Sequence, residues 1–212
     1  GYKNKRLTQL QVLLANLISN HQTDPDLYTS VSLANSHYKP HSRYNSHSIG
    51  KGFINLIRDL AEGDWLELHK GFIDRASGIS RLTRIKPTDK TLKLLEDLQV
   101  HSHLIARAPN TECIIKRDED KKDIEYIDTQ ENIQDRAHLT AYNNLLHKTL
   151  IDHPDFPSEG VPLKDGRTFK INKSDKFVRR IYNNSSFEWN GRYYGGWWQR
   201  APKAYRSGIQ LD

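Results

Sequence analysis

The chain has 212 residues, of which 36% are hydrophobic and 27% charged, and a formal net charge of +6 at pH 7. A chain of this length can bury one sizeable core or two small ones, and the composition predicts a soluble, cytoplasmic protein without a membrane span or a secretory signal. The single Cys113 excludes an internal disulfide, and the lack of methionine even at position 1 suggests a piece of a longer protein.

The positive charge is concentrated in two regions of the sequence. Residues 164–212 contain 11 Lys or Arg against 4 acidic residues, and residues 34–93 contain 11 against 6. Between these regions, residues 118–135 carry 8 acidic residues against 2 lysines. Two basic regions separated by an acidic one predict a polyanionic partner, with ordinary surface charge as the alternative.

Two amphipathic helices are predicted first in chain order. Leucines and an isoleucine at helical spacing predict a helix over residues 6–20. A second apolar stripe predicts another helix that begins near Ser46 or Ser48 and stops at Gly63.

A β-hairpin and a third helix are predicted to follow. The alternating residues of 65–69 and 79–85 predict a hairpin with a basic tip, and a helix is predicted after Pro87. Helix, hairpin and helix in this order are typical of a winged helix-turn-helix DNA-binding domain, which we predict for residues 1–105.

In a winged helix, the helix before the hairpin enters the major groove and the wing reaches the DNA backbone. We therefore expect two groups of DNA-contacting residues. The outward residues of that helix are Ser48, Lys51, Asn55 and Arg58. The basic residues on or near the wing are Lys70, Arg75, Arg81 and Arg84. The alternative is a winged helix used for protein docking or dimerisation, with these residues merely solvated.

The remainder of the chain predicts a connector and a second, smaller module. Residues 106–137 are polar and acidic and are predicted to be a connector, whereas residues 138–212 are predicted to form a small basic, aromatic-rich module. The predicted fold class is therefore α+β.

Within the second module, the apolar spacing predicts a helix over 139–150. The turn residues at 164–167 lie between two short extended pieces. Ser174 is predicted to cap a short helix that carries Phe177 and Ile181.

The end of the chain mixes cationic and aromatic side chains, a mixture that suits a strand of nucleic acid better than a hydrophobic core. The cations predicted to contact phosphates are Arg179, Arg180, Arg192, Arg200, Lys203 and Arg206. The aromatic residues on which bases or sugars would stack are Tyr193, Tyr194, Trp197 and Trp198. Each stacked base would contribute about 1–3 kcal/mol. The alternative is that the tryptophans form the core of a small domain.

Other chemistries have little support in the sequence. The ten histidines are scattered, without zinc-finger spacing or a His-Glu-x-x-His helix, so we expect no metal in this chain. No serine lies in a glycine-flanked elbow, and Gly50-Lys51-Gly52 lacks the spacing of a phosphate-binding loop. We therefore expect a binding protein without a cofactor of its own.

The end of the chain resembles the segment before the first catalytic motif of family A DNA polymerases. The resemblance is carried by Gly191-Arg192-Tyr193-Tyr194-Gly195, Trp198-Gln199-Arg200-Ala201-Pro202, Arg206-Ser-Gly-Ile209 and Leu211-Asp212. In those enzymes a Gly-Arg turn, a Gln-x-x-Pro element and an arginine precede the strand that ends in the catalytic aspartate. The order is also similar to phage- and mobile-element-encoded proteins of proteobacteria, in which a winged helix precedes such a segment.

The resemblance implies roles for three residues. Arg192 and Gln199 would contact template or primer, and Asp212 would be the first metal-binding carboxylate. Polymerases need two carboxylates and two divalent ions, so Mg²⁺ would be bound only in a longer polymerase-like parent. The resemblance therefore implies a DNA-binding protein of phage or mobile-element replication that does not polymerise as this chain. The alternative is a winged-helix transcriptional regulator whose second module dimerises or binds an effector.

Overall fold

The computed structural model describes residues 2–101, 104–108, 110–157, 160–163, 166–189 and 191–211. The chain divides into two compact units, Gly1–Pro109 and Asn110–Asp212. Both units contain α-helices and short, mainly antiparallel strands, which confirms the predicted α+β class.

The elements described in the first unit are three α-helices, one short 3₁₀ helix and five strands. In chain order these are α1 (Tyr2–Thr23), β1 (Thr29–Val31), the 3₁₀ helix (Asn35–His37), α2 (Lys51–Glu62), β2 (Leu66–His69), β3 (Phe72–Ile73), β4 (Ser80–Arg81), β5 (Thr83–Pro87) and α3 (Asp89–Asp97). The strands form an antiparallel sheet in the order β1-β5-β2, and β3 pairs with β4 to extend the hairpin. The predicted hairpin is therefore present, whereas β1 was not predicted.

The core of the first unit is mainly aliphatic, with Phe53 as its one buried aromatic residue among those described. Leu13 and Leu17 of α1 pack with Ile57 of α2 and with Leu66 and Ile85 of the sheet. These side chains come from the apolar stripe of each helix and from the inward face of each strand, as the periods of 3.6 and 2 require. The opposite faces of these helices and strands carry mostly polar residues.

The second unit contains three helices and seven strands among its described residues. In chain order these are β6 (Ile114–Lys116), α4 (Gln130–Lys148), β7 (Ile151–Asp152), β8 (Val161–Pro162), β9 (Thr168–Phe169), β10 (Val178–Tyr182), β11 (Arg192–Gly195), α5 (Trp197–Arg200), α6 (Lys203–Arg206) and β12 (Gln210–Leu211). The strands β6, β10 and β11 form a sheet with β10 in the middle, and the pairs β7–β12 and β8–β9 stand apart.

The helix α4 is joined to the middle strand by a side-chain clamp. The Asn143 carboxamide donates to the Val178 carbonyl oxygen (2.9 Å), and its oxygen accepts from the Val178 amide (2.7 Å). The predicted short helix after Ser174 is wrong, because Val178–Tyr182 forms the central strand. Ile181 is four residues after Phe177, a helical spacing, but the β-branched and aromatic residues between Phe177 and Asn183 favour a strand.

The segment predicted as an acidic connector lies within the second unit. Ile114 and Ile115 are buried in β6, which pairs in parallel with β10. The helix α4 begins at Gln130, where the Thr129 hydroxyl accepts a hydrogen bond from the Asn132 amide. Residues 110–137 therefore supply a strand and the first turns of a helix.

None of the helices in the described part of the chain is long and apolar enough to cross a membrane.

Candidate nucleic-acid interface

The outer face of α2 carries the residues predicted to read DNA. Phe53, Ile54, Leu56 and Ile57 are buried, and this leaves Lys51, Asn55 and Arg58 exposed on the opposite side of the helix. The spacing of four and three residues aligns these three side chains along one face. Ser48 precedes the helix in a left-handed conformation (φ 49°) and is half-buried.

Two acidic residues lie near this face, Asp59 and Glu62. Asp59 accepts a hydrogen bond from the Arg6 guanidinium of α1 at 2.6 Å, which reduces its effect on Lys51 and Arg58. Glu62 is exposed one turn after Arg58, so the two cations outnumber one acid on this face.

The wing combines cations with exposed apolar side chains. Lys70, Arg75 and Arg81 are exposed, whereas Arg84 is half-buried with its guanidinium carbon 5.3 Å from the centre of the Tyr28 ring. Four apolar residues of the same hairpin are also exposed, Phe72 (50%), Ile73 (79%), Ile79 (53%) and Leu82 (69%). Only the cations were predicted to lie on this surface.

A polar cluster on the outer face of the first sheet was not predicted. The Tyr28 hydroxyl donates to Glu67 Oε1 at 2.7 Å, and His69 Nε2 lies 2.5 Å from the same oxygen. The Lys86 ammonium lies 3.4 Å from Glu67 Oε2. The hydrogen bond from Tyr28, followed by that from His69, lowers the pKa of Glu67. The alternation of Glu67 with His69 and of Arg84 with Lys86 is the signal that could have placed these four residues on one face.

The aromatic residues at the end of the chain divide between core and surface. Trp197 is 1% exposed and packs with Leu139, Leu146 and Val178, so its indole is not available to a base. The prediction that Trp197 contacts DNA is thereby corrected. Trp198 is half-buried against the same core, whereas Tyr193 (54%) and Tyr194 (43%) are exposed on β11.

Three of the predicted DNA-contacting arginines form bonds within the second unit. Arg180 donates to Asp135 at 2.7 Å, and Arg200 donates to Asp175 at 2.5 Å. Arg206 donates to the carbonyl oxygens of Ala201 (2.8 Å) and Gln199 (3.0 Å), which end α5.

Gln199, implied by the resemblance to contact template or primer, also bonds internally. Its Oε1 accepts from the Gly195 amide at 3.1 Å, and its Nε2 donates to the Tyr193 carbonyl oxygen at 3.3 Å. The carboxamide thus holds the turn between β11 and α5.

The sheet face opposite α4 brings together three of the predicted residues, Arg179, Arg192 and Tyr194. Tyr182 and Arg180 face α4, where both bond to Asp135. Because side chains alternate along a strand, Arg179 and Ile181 lie on the other face, beside their partners in register on β11, Tyr194 and Arg192. Arg192 is exposed, as is Lys203 on α6.

A groove of about 550 Å³ opens at the Ile181 end of this face, and we call it the Trp189 groove. Ile181 forms part of its lining, together with Glu119, Lys121, Asn183, Asn184, Trp189 and Arg192. Trp189 is 71% exposed. Of these residues only Arg192 was predicted to bind a ligand, because no local pattern distinguishes an exposed tryptophan in a turn from a buried one.

Asp212, the candidate catalytic carboxylate, lies outside the described residues. Among the described residues, no group of three or more His, Cys, Asp or Glu side chains is arranged to hold a metal ion. Comparison with known proteins finds no matching family model, no matching curated protein and no matching solved structure.

Proposed function

We propose that the chain is a DNA-binding protein of phage or mobile-element replication, in which the first unit acts as a winged helix. The observation that carries this proposal is the exposed row of Lys51, Asn55 and Arg58 on the helix directly before the hairpin. The order of the elements and the β1-β5-β2 sheet support a winged helix, because α2 stands where such folds insert a helix into the major groove.

The replication setting rests on the polymerase-like segment at the end of the chain. The strand β12 ends at Leu211, directly before Asp212 in sequence, and this order agrees with a strand that leads to a catalytic carboxylate. In a longer parent, Asp212 would be one of two carboxylates that hold Mg²⁺. A preference for primer–template junctions over blunt duplexes is the expected signature of this setting.

Binding to a duplex of about 20 base pairs, two helical turns, tests the proposal. Phosphate neutralisation releases counterions, so affinity should fall steeply between about 50 and 200 mM salt. The double variant Lys51→Ala/Arg58→Ala should weaken binding and make the slope of log K against log salt shallower by about 0.9 for each lost phosphate contact. Fluorescence anisotropy across a salt series measures both quantities.

The matched control is Lys5→Ala/Lys93→Ala, which removes the same charge from exposed positions of α1 and α3. This variant should bind like the wild-type chain. Equal losses in the two double variants would show nonspecific attraction by net charge and would contradict the proposed interface. A wild-type affinity that hardly changes with salt would contradict DNA binding altogether.

The exposed apolar residues of the wing favour a second candidate function, protein docking or self-association, as in a dimeric transcriptional regulator. Ile73 and Leu82 are 79% and 69% exposed on neighbouring positions of the hairpin. If they form a homodimer contact, Ile73→Ser/Leu82→Ser should convert a dimer to a monomer in sedimentation equilibrium. A wild-type chain that is monomeric at micromolar concentration would remove the homodimer form of this candidate.

A further inference from the structure

We infer that the Trp189 groove binds one unpaired nucleotide of a single DNA strand, an inference that rests on the proposed DNA-binding function. The volume of about 550 Å³ falls within the usual range for small-ligand sites. The groove combines an aromatic ring, an aliphatic side chain, two cations and two carboxamides. A nucleotide presents the matching groups, namely a flat base, a sugar, a phosphate and polar base edges.

The aromatic part of the groove is Trp189. Large aromatic side chains bury much of their surface in folded proteins, and Trp189 is instead 71% exposed at the edge of a concave site. An indole in this position provides a face on which any base can stack. The aliphatic side chain of Ile181, on the outer face of β10, offers an apolar contact for the sugar.

The cations of the groove are Arg192 and Lys121, and both are exposed. Lys121 belongs to the acidic segment, but two of the acids around it are already paired. Asp123 accepts from Arg117 at 2.8 Å, and Asp120 accepts from Lys122 at 3.0 Å. The guanidinium and ammonium groups are the charges suited to a phosphate, and together they outnumber the one carboxylate of the groove, that of Glu119.

The polar groups of the groove suit a base edge. Asn183 and Asn184 each offer carboxamide donors and acceptors, and the Glu119 carboxylate accepts hydrogen bonds from amino groups. In duplex DNA the Watson–Crick edges are already paired, so these groups favour an unpaired base.

The two turns that carry these residues are held to each other. The Arg117 amide donates to the Tyr182 carbonyl oxygen, and the Ser185 amide donates to the Arg117 carbonyl oxygen, both at 2.8 Å. Lys121 (φ 62°) and Asn184 (φ 56°) adopt left-handed conformations, which asparagine adopts more readily than most non-glycine residues. The hydrogen bonds through Arg117 connect the two turns that line the groove.

The test compares binding of a fluorescein-labelled thymidine oligomer of about 12 nucleotides to the full chain and three variants. Trp189→Ala should weaken binding by about 5- to 100-fold, the range that stacking of one base supports, and Trp189→Phe should restore most of the affinity. Tyr142→Ala removes another exposed aromatic residue of the second unit, on α4, and should leave the affinity unchanged. Far-UV circular dichroism checks that each variant is folded.

The outcomes separate this inference from the proposed function. Unchanged single-strand affinity in Trp189→Ala, or an equal loss in Tyr142→Ala, overturns the nucleotide site even if duplex binding through α2 persists. Competition by free thymidine monophosphate at the same concentration as the oligomer also overturns it, because the ligand is then a free nucleotide. If the chain does not bind duplex DNA but binds a single strand in a way that depends on Trp189, the winged-helix interface is contradicted and the nucleotide site in the Trp189 groove is supported.

Discussion

The two units use similar residue types in different ways. In the first unit, the residues predicted to contact DNA lie outside a mainly aliphatic core, and Lys51, Asn55 and Arg58 are all exposed. In the second unit, the aromatic residues at the end of the chain are shared between the surface and the core, with Trp197 buried. A segment with few aliphatic residues recruits aromatic ones for packing, so its aromatic content does not by itself measure its binding surface.

The arginines of both units are divided between the surface and internal bonds. In the first unit Arg58 is exposed, whereas Arg6 bonds to Asp59. In the second unit Arg192 is exposed, whereas Arg206 bonds to the carbonyl oxygens that end α5. A basic residue therefore does not by itself mark a phosphate contact in either unit.

The largest expected effect tests the core role of Trp197. Trp197→Ala should destabilise the second unit by about 3–5 kcal/mol, because it removes a fully buried ring and leaves a cavity. Tyr194→Ala, on the exposed face of β11, should cost under about 1 kcal/mol. Urea unfolding followed by far-UV circular dichroism measures both.

If Tyr194→Ala cost more stability than Trp197→Ala, the Tyr194 ring would belong to the core and the Trp197 ring would again be a candidate for base stacking. The two units would then no longer differ in this respect, because Trp197 would be exposed like the cations of the first unit.

A somewhat smaller effect is expected at Gly195, which ends β11. Gly195 has φ 115°, and a Cβ there would lie 2.2 Å from the Phe177 carbonyl oxygen. Gly195→Ala should therefore cost about 3 kcal/mol, at the upper end of the range for a strained backbone. Gly166→Ala is the matched control, because Gly166 also has a positive φ (81°) but its Cβ would meet no atom within 4 Å.

The control variant should cost roughly 1–2 kcal/mol from backbone conformation alone. Equal thermal shifts in the two variants would show that the close approach at Phe177 is absent in solution. Gly195 would then be free to let a ligand backbone approach closely.

The sequence predicts helices better than strands in this chain, for reasons visible in particular elements. The stripe on α2 and the alternation in β2 are local patterns, and both are confirmed. The strands β6 and β10 pair in parallel across more than 60 residues of sequence, and no local pattern encodes that partner. In β10 the buried Val178, Ile181 and Tyr182 are distributed over both faces, so strict alternation is lost.

The candidate site shows the same difference between local patterns, which can be predicted, and long-range contacts, which cannot. Cations on regular elements of the first unit were placed on the surface from their spacing, whereas the Trp189 groove needs two turns that only the fold of the second unit brings together. The cluster of Glu67 and His69 was not predicted, although the alternation along β2 places both residues on one face.

The smallest expected effect concerns the cluster on the first sheet. The hydrogen bond from Tyr28 is the main cause of the lowered pKa of Glu67, so Tyr28→Phe should raise that pKa towards its ordinary value near 4.5. The pKa should remain lowered in part, because the hydrogen bond from His69 persists. Titration of the Glu67 side-chain carboxyl ¹³C signal by NMR measures the change, and Tyr142→Phe in the other unit serves as the control.

The sign of the accompanying stability change follows from linkage. A carboxyl group whose pKa is lower in the folded state stabilises that state above the unfolded pKa, and this contribution is lost as the pH falls through the folded pKa. Tyr28→Phe should therefore reduce the stability of the first unit at neutral pH and flatten its decline in acid. Because Glu67 is well exposed to solvent, the change should be small and should shrink further in high salt. An unchanged Glu67 titration would mean that the cluster does not form in solution, and Arg84 and Lys86 would then be as free for phosphate as the cations of the wing.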